Sequence, residues 1–338
     1  MLFRAKAPLR VSFAGGGTDV PPFPAQEGGL VLSATINKYA YGTLRPRADR
    51  QIRITSADLR MTLEYQADDP MHFDGNLDLV KAAIRNLGGR EDGYDLFLRS
   101  SAPPGSGLGS SSTLTVALIG LLKAYHRLPV TDYEIADLAY RVERHDLGIK
   151  GGLQDQYAAT FGGFNFIEFA DEHVIVNPLR IGSDTINELE HNMLLCFTGK
   201  TRVSDRIIDD QTERYRGGDA KTLEGLRMQK ELAVEMKKAL LQNRVSEFGS
   251  LLGHAWEYKR RMSDHISTPF IDEAYEEACR HGALGGKVTG AGGGGYMLFY
   301  CEFERRHEVA EALTRMGVTV GELAFEPHGL ATWSVTGD

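Results

Sequence analysis

The run Pro103-Pro104-Gly105-Ser106-Gly107-Leu108-Gly109-Ser110-Ser111-Ser112 constrains this chain more than any other segment. Its glycines admit left-handed backbone and keep side chains out of the way, so that successive backbone N–H groups can converge on an anion. The residues that follow, Thr113-Leu114-Thr115-Val116-Ala117-Leu118, read as the start of a helix. The free N–H groups and positive dipole end of such a start suit a phosphate. Pro104 to Ser112 are therefore expected to cradle a nucleotide phosphate. No Lys precedes the Ser/Thr in the order GxxxxGK[ST], which argues against a Walker loop.

Two more segments are rich in glycine: Ala14-Gly15-Gly16-Gly17-Thr18-Asp19 and Gly285-Gly286-Lys287-Val288-Thr289-Gly290-Ala291-Gly292-Gly293-Gly294-Gly295. Gly290, Gly292 and Gly295 fit GxGxxG, but Tyr296-Met297-Leu298-Phe299-Tyr300 follows as a strand run, where a dinucleotide site needs a helix. Any one such segment reads equally well as a tight turn. Three together, one at a helix start, shift the reading towards phosphate chemistry.

Around these segments the pattern predicts strands at 8–14, 30–44 and 51–65, then helices at 77–87, 111–126 and 132–147. Thr131 and Glu134 form a possible capping box for the last of these. Strands are predicted at 164–169 and 193–198, followed by helices at 201–215, 220–242, 245–262 and 270–281. Strands at 284–289, 296–301 and 320–325, with a helix at 305–316, complete the reading. Strand clusters followed by helix runs predict an α+β fold rather than a doubly wound sheet. With 338 residues the chain divides into two domains, 1–180 and 181–338, with the join between 170 and 192.

Composition excludes several function classes. A formal charge of −8 weighs against a general nucleic-acid binder, so an anionic substrate must be held by a few well-placed groups. No run reaches the ~18 apolar residues a spanning helix needs. Cys196, Cys279 and Cys301 stand far apart, which predicts buried free thiols and, with no signal-peptide pattern at the N-terminus, a cytoplasmic protein. The ten histidines show no HExxH or paired-ligand spacing.

The order PxRVSFAGGGTD, PPGSGLGSSS, GGKVTGAGGGG resembles the three motifs of the GHMP kinases, and the resemblance spans nearly the whole chain. It implies a ribosomal-S5-like N-terminal domain, a ferredoxin-like C-terminal domain and an active site between them that uses ATP and Mg²⁺. Gly15-Gly16-Gly17-Thr18-Asp19-Val20-Pro21-Pro22 is most similar to the sugar 1-kinase branch, which holds heptose 7-phosphate kinases and fucokinases. The implied reaction is phosphorylation of the anomeric hydroxyl of a heptose 7-phosphate. A fucokinase-like or other sugar 1-kinase, or a catalytically silent sugar sensor, is the alternative. Galactokinases carry Glu-His where this chain has Gly16 and Gly17, so the sugar pocket here is expected to be roomier.

Through the same resemblance Ser112 and Glu143 match Mg²⁺ ligands, and Asp155 matches the catalytic aspartate that accepts the sugar hydroxyl's proton. Arg10 would sit beside Asp155 and favour its ionised form. Gly16, Gly17, Thr18 and Asp19 would meet the sugar, Asp19 accepting from two hydroxyls, while Gly292 and Gly293 approach the nucleotide loop or substrate. Alternatives stay open: Glu143 as a surface ion pair, Asp155 as a helix cap, Arg10 as a strand-face ion pair, Thr18-Asp19 as a turn. Lys200 and Arg202, in Thr198-Gly199-Lys200-Thr201-Arg202, are expected to take a distal phosphate. Lys259, in Tyr258-Lys259-Arg260-Arg261, is the second choice, since adjacent cations on a helix mostly lie on a solvated face. Nothing in the sequence reports on oligomeric state.

Overall fold

Alternation decides the architecture of the first strand, β1 (Leu2–Ala14). Leu9, Val11 and Phe13 enter one hydrophobic cluster, while Arg10 and Ser12 turn to the opposite face and line a cleft. The computed structural model describes residues 1–87, 92–171, 173–201 and 205–336. After β1 come α1 (Phe23–Glu27), β2 (Gly29–Pro46), β3 (Gln51–Ser56), β4 (Met61–Gln66), α2 (Asp78–Leu87), β5 (Tyr94–Ser100), α3 (Ser110–His126) and α4 (Asp132–Arg141). A π-helical turn (Val142–Asp146) leads through α5 (Gln154–Phe161), β6 (Phe164–Phe169), β7 (Val174–Pro178) and α6 (Ser183–Asn192) to β8 (Met193–Phe197). The remainder is α7 (Asp205–Arg216), α8 (Ala220–Leu241), α9 (Val245–Arg261), α10 (Pro269–Arg280), β9 (Ala283–Val288), β10 (Tyr296–Cys301), α11 (Arg306–Arg315), β11 (Thr319–Gly321) and β12 (Ala331–Val335).

The first sheet runs β12-β1-β2-β5-β3-β4. The long β2 serves two neighbours: residues 40–46 pair with β5, and residues 29–34 pair with β6, which in turn pairs with β7. The second sheet runs β11-β8-β10-β9, all antiparallel. Its chain order β8, β9, β10, β11, with helices before β9 and before β11, is the split βαβ arrangement of ferredoxin-like folds. The α+β architecture expected from the sequence is the one observed. Among the described residues no helix is long and apolar enough to cross a membrane.

One cluster ties the halves together, joining Leu9, Val11 and Phe13 to Leu195 of β8, Met236 of α8 and Phe248 and Leu252 of α9. A second packs α3, through Val116 and Leu121, on Leu44, Leu96 and Leu98.

Several predicted elements change. The strand expected over 51–65 is a hairpin, because Arg60 takes a left-handed φ of 51° between β3 and β4. The helix expected over 132–147 is α-helical only to Arg141 before its π turn, while its Thr131/Glu134 capping box is present. The strand expected at 320–325 is only Thr319–Gly321, with Phe325 making an isolated bridge to Ile36. β12 returns to β1, Leu2 facing Val335, so a division at residue 180 leaves the first sheet drawing a strand from the second half of the chain.

Helix α9 lies directly on β9. A Cβ at Gly285 would stand 2.2 Å from the Gly249 carbonyl oxygen and 2.6 Å from the Gly253 nitrogen. Backbone cannot yield as a side chain can, so Gly285→Ala is expected to cost about 1–3 kcal/mol by overpacking. Urea unfolding measures it, and wild-type stability in the variant would show that the two backbones do not meet.

Candidate active site

The loop between β5 and α3 takes positive φ at Gly105, Gly107 and Gly109, of 73°, 83° and 74°. Gly109 is the N-cap of α3 and no side chain caps that helix. Its first N–H groups are thus free of a side-chain acceptor on the face that looks into the cleft. The third motif closes the loop from behind. Tyr296 N donates to the Ser106 carbonyl at 2.9 Å, and a Cβ at Gly107 would come within 2.5 Å of the Thr289 carbonyl oxygen. The loop and the β9–β10 turn therefore meet through bare backbone.

Arg10 fastens the loop to the first turn of α5. Its Nη1 donates to the Gly107 carbonyl at 2.6 Å, while Nε and Nη2 lie 2.7 and 2.6 Å from Asp155 Oδ1. Asp155 does not cap α5; Leu153 occupies that position. Its Oδ2 stays free of Arg10 and would sit 3.4 Å from a Cβ at Gly109, so the carboxylate borders the glycine-rich loop.

Glu143 is buried, not a surface ion pair, because the π turn swings it inward. Its Oε1 accepts from Ser111 Oγ at 3.0 Å, and its Oε2 accepts from Ser112 Oγ at 2.7 Å and from Gln156 Nε2. Burial raises its pKa above the usual carboxylate range, against the pull of Arg144 and the hydroxyl and amide donors. The Ser111, Ser112 and Glu143 oxygens form a hard-donor group of the kind Mg²⁺ accepts with few protein ligands. Among the described residues no cluster of three or more His, Cys, Asp or Glu side chains could hold a metal by itself.

Asp19 is also buried. Its Oδ2 accepts from Gln154 N at 3.1 Å and its Oδ1 from Gln154 Nε2 and Gly17 N, each at 3.1 Å. Three protein donors leave it about one further lone pair rather than the two expected for a sugar diol. Burial raises its pKa; the donation from Gln154 N opposes the shift and the Asp155 charge adds to it. Gly152 fits against it so closely that a Cβ there would lie 1.9 Å from Oδ2.

Arg10, Gly16, Gly17, Asp19, Glu143, Asp155 and the loop residues Pro104 to Gly107 and Gly109 to Ser112 line one cleft of about 400 Å³. That is the scale of a small-molecule site. Leu108 sits in the core beneath it. Thr18 is buried, with Oγ1 donating to the Gly15 carbonyl at 2.8 Å, and it shapes the turn instead of lining the cleft. Gly292 and Gly293 turn towards Ile266, and from the third motif Gly290 and Ala291 are the residues that line. Lys200 is exposed, with its carbonyl accepting from Gly295 N at 2.7 Å, and Arg202 lies outside the described residues.

Lys259 reverses its sequence reading. It is buried, lines the cleft and donates to the Gly290 carbonyl at 2.6 Å, while Arg260 and Arg261 take the solvated face. Burial, then the positive charge of Arg10, lower its pKa to about 8 against the attraction of Asp19. Sequence reasoning also passed over Lys287, buried with Nζ donating to the Ser12 and Phe13 carbonyls at 3.0 and 2.9 Å. Burial, reinforced by Lys259 and Arg10, holds its pKa well below the ordinary lysine range.

Residues 78–163 match the GHMP kinases N terminal domain and residues 236–319 the GHMP kinases C terminal domain. The chain is 39% identical to the D-glycero-alpha-D-manno-heptose 7-phosphate kinase of Campylobacter jejuni over 337 residues, 98% of this chain and 99% of that one. It belongs to the GHMP kinases. A crystal structure of a D-glycero-D-manno-heptose 1-phosphate kinase from Bacteroides thetaiotaomicron is similar to this GHMP kinase with a TM-score of 0.83, at 36% identity over 99% of this chain and 100% of that one. Lactococcus lactis galactokinase, complexed with galactose, shares the fold with a TM-score of 0.79 at 19% identity, over 98% and 95% of the two chains.

The depressed pKa of Lys259 predicts a stability signature. Between pH 8 and 10.5 the unfolded chain keeps the Lys259 proton that the folded chain has lost, so stability rises with pH across that window. Relative to Lys259→Met, this GHMP kinase is expected to gain on the order of 3 kcal/mol over it. Parallel urea titrations of both proteins test this, and a flat difference would contradict a lysine buried with its charge.

Proposed function

We propose that this ATP-dependent sugar kinase phosphorylates the anomeric (C1) hydroxyl of D-glycero-D-manno-heptose 7-phosphate, giving the 1,7-bisphosphate. The observation that carries the reading is the placing of Asp155 against Gly109, with Oδ1 bound to Arg10 and Oδ2 open towards the phosphate loop. Near-full-length identity of 39% to a kinase so named supports the substrate, as does the absence of side chains at Gly16 and Gly17 beside the sugar position. Cys196, Cys279 and Cys301 are unpaired, Cys279 exposed where a buried thiol is expected, and they support a cytoplasmic setting.

In this reading the loop N–H groups and the start of α3 hold the nucleotide phosphates. Asp155 Oδ2 accepts the proton of the C1 hydroxyl as its oxygen bonds to the γ-phosphorus and the bond to the β,γ-bridging oxygen breaks, releasing ADP. Arg10 bonds Asp155 Oδ1 and holds the loop carbonyl of Gly107, so base and phosphate cradle keep one spacing. Ser112 and Glu143, with Ser111 beside them, would hold Mg²⁺. The ion neutralises phosphate charge when bound.

A coupled ADP assay across heptose 7-phosphate, free heptose, fucose, galactose and mevalonate tests the substrate. The highest kcat/KM is expected for heptose 7-phosphate, and a preference for fucose or equal use of free heptose would overturn the assignment. Asp155→Asn is expected to lower kcat about 10²–10⁴-fold while keeping nucleotide affinity and fold. Wild-type kcat in that variant would remove Asp155 from the chemistry. Ser112→Ala and Glu143→Gln should each raise the Mg²⁺ concentration needed for half-maximal rate, and unchanged titrations in both would move the metal elsewhere.

A further inference from the structure

Gly15 and Gly17 have backbone reasons to be glycine: their φ angles are 85° and 103°, and a Cβ at Gly15 would fall 1.8 Å from the Leu30 carbonyl oxygen. Gly16 has neither. It is not among the residues with left-handed φ, and a methyl on it would meet nothing nearer than Ser12 Oγ at 3.4 Å, Gln154 Nε2 at 3.7 Å and Lys259 Nζ at 3.9 Å. Those are ordinary contact distances. Neither backbone conformation nor protein packing requires the missing side chain, so the room it leaves is available to a ligand.

The groups around that room are mostly donors, with Gln154 Oε1 the acceptor among them. Ser12 is 3% exposed and its Oγ has no hydrogen-bond partner in the protein; Gln154 Oε1 is buried and equally unpartnered. Gln154 Nε2 donates to Asp19, which leaves its second N–H. Lys259 is 4% exposed, and its Nζ donates to the Gly290 carbonyl without any carboxylate within ion-pairing distance among the described residues. A buried ammonium without a bonded anion and an orphaned hydroxyl on one cavity wall are costly unless something completes them. Donors with one positive charge suit a phosphate oxygen better than a neutral alcohol.

Position on the strand fixes which part of a substrate arrives there. Arg10 and Ser12 share the cleft face of β1 two residues apart, a separation of about 6.6 Å. A sugar whose reacting hydroxyl meets Asp155 beside Arg10 therefore extends its far side towards Ser12 and Lys259. Resting on the heptose 7-phosphate reading, we infer that Gly16, Ser12, Gln154 and Lys259 form the subsite for the substrate's distal phosphate. Lys200, exposed and outside the cleft lining, is displaced from that role.

The test measures kcat/KM for heptose 7-phosphate and for free heptose in wild type, Lys259→Met, Lys259→Arg and Gly16→Ala. The alanine fills the room without a clash, so it probes the subsite even if the methionine variant folds poorly. The preference for the phosphorylated sugar is expected to fall at least about tenfold in Lys259→Met and Gly16→Ala, mainly through KM, with partial rescue in Lys259→Arg and the KM for ATP unmoved. If wild type prefers the phosphorylated sugar and both variants retain that preference, the subsite is refuted while the substrate reading stands. If wild type shows no preference, the substrate reading fails and the subsite with it. A fall in kcat that is equal for both sugars would assign Lys259 to the transfer step instead and overturn the inference.

Discussion

The guanidinium of Arg10 is the contact on which the rest of the site depends. Three of its nitrogens join β1 to the loop before α3 and to the first turn of α5. Those segments are distant in sequence, and the same joint is reinforced by Arg10 N donating to the Leu108 carbonyl and by Gln156 Nε2 donating to Ser112 Oγ. A planar fork with fixed donor directions can set the angle between two partners, which a flexible ammonium cannot. The pair is shielded, with Arg10 buried and Asp155 partly open, so its geometry is less subject to screening by salt than a surface ion pair.

Around that contact the protein uses backbone where other folds use side chains. Gly107, Gly290 and Gly295 bring the nucleotide loop and the β9–β10 turn into contact with no Cβ between them, and Lys287 ties β9 to the carbonyls of β1. The consequence is a cleft whose two walls belong to different sheets yet cannot slide independently. Buried polar groups are numerous here because they hold a geometry, and many are satisfied by a partner from another segment. Those without a partner beside the cleft include Ser12 Oγ, Arg144 Nε and the Oε1 atoms of Gln154 and Gln156.

Much of this was legible in the residues. The loop motif announced a glycine turn at a helix start, and the α+β class followed from the order of strand-like and helix-like segments. The turn that splits β3 from β4 was not readable, since Ala57-Asp58-Leu59-Arg60 contains neither Gly nor Pro and Arg60 adopts its left-handed φ without a turn signature. Glu143 is buried at the cleft as its expected role requires, but the π turn that carries it leaves no mark in the residue pattern. The burial of Lys259 is written in the residues around it. Leu252, Ala255 and Trp256 form a buried stripe, and Lys259 continues it at helical spacing, seven, four and three residues on. Tyr94, Leu96 and Leu98 likewise gave β5 a clean period of two. Gln154 and Gly152 carried no pattern, because their partner Asp19 comes from another motif.

The pairing of β12 with β1 bears on how the molecule is made. On a ribosome, β1 emerges first, but the strand that covers its outer edge arrives only when residues 331–335 do. Until then the nascent chain carries an open row of N–H and C=O groups, the template on which strands from other chains can add. The first sheet cannot be completed as an independent unit ahead of the second. Shared core packing between β1, α8 and α9 reinforces the same point. The two halves that line the cleft are thereby bound to close together, once the last strand has been made.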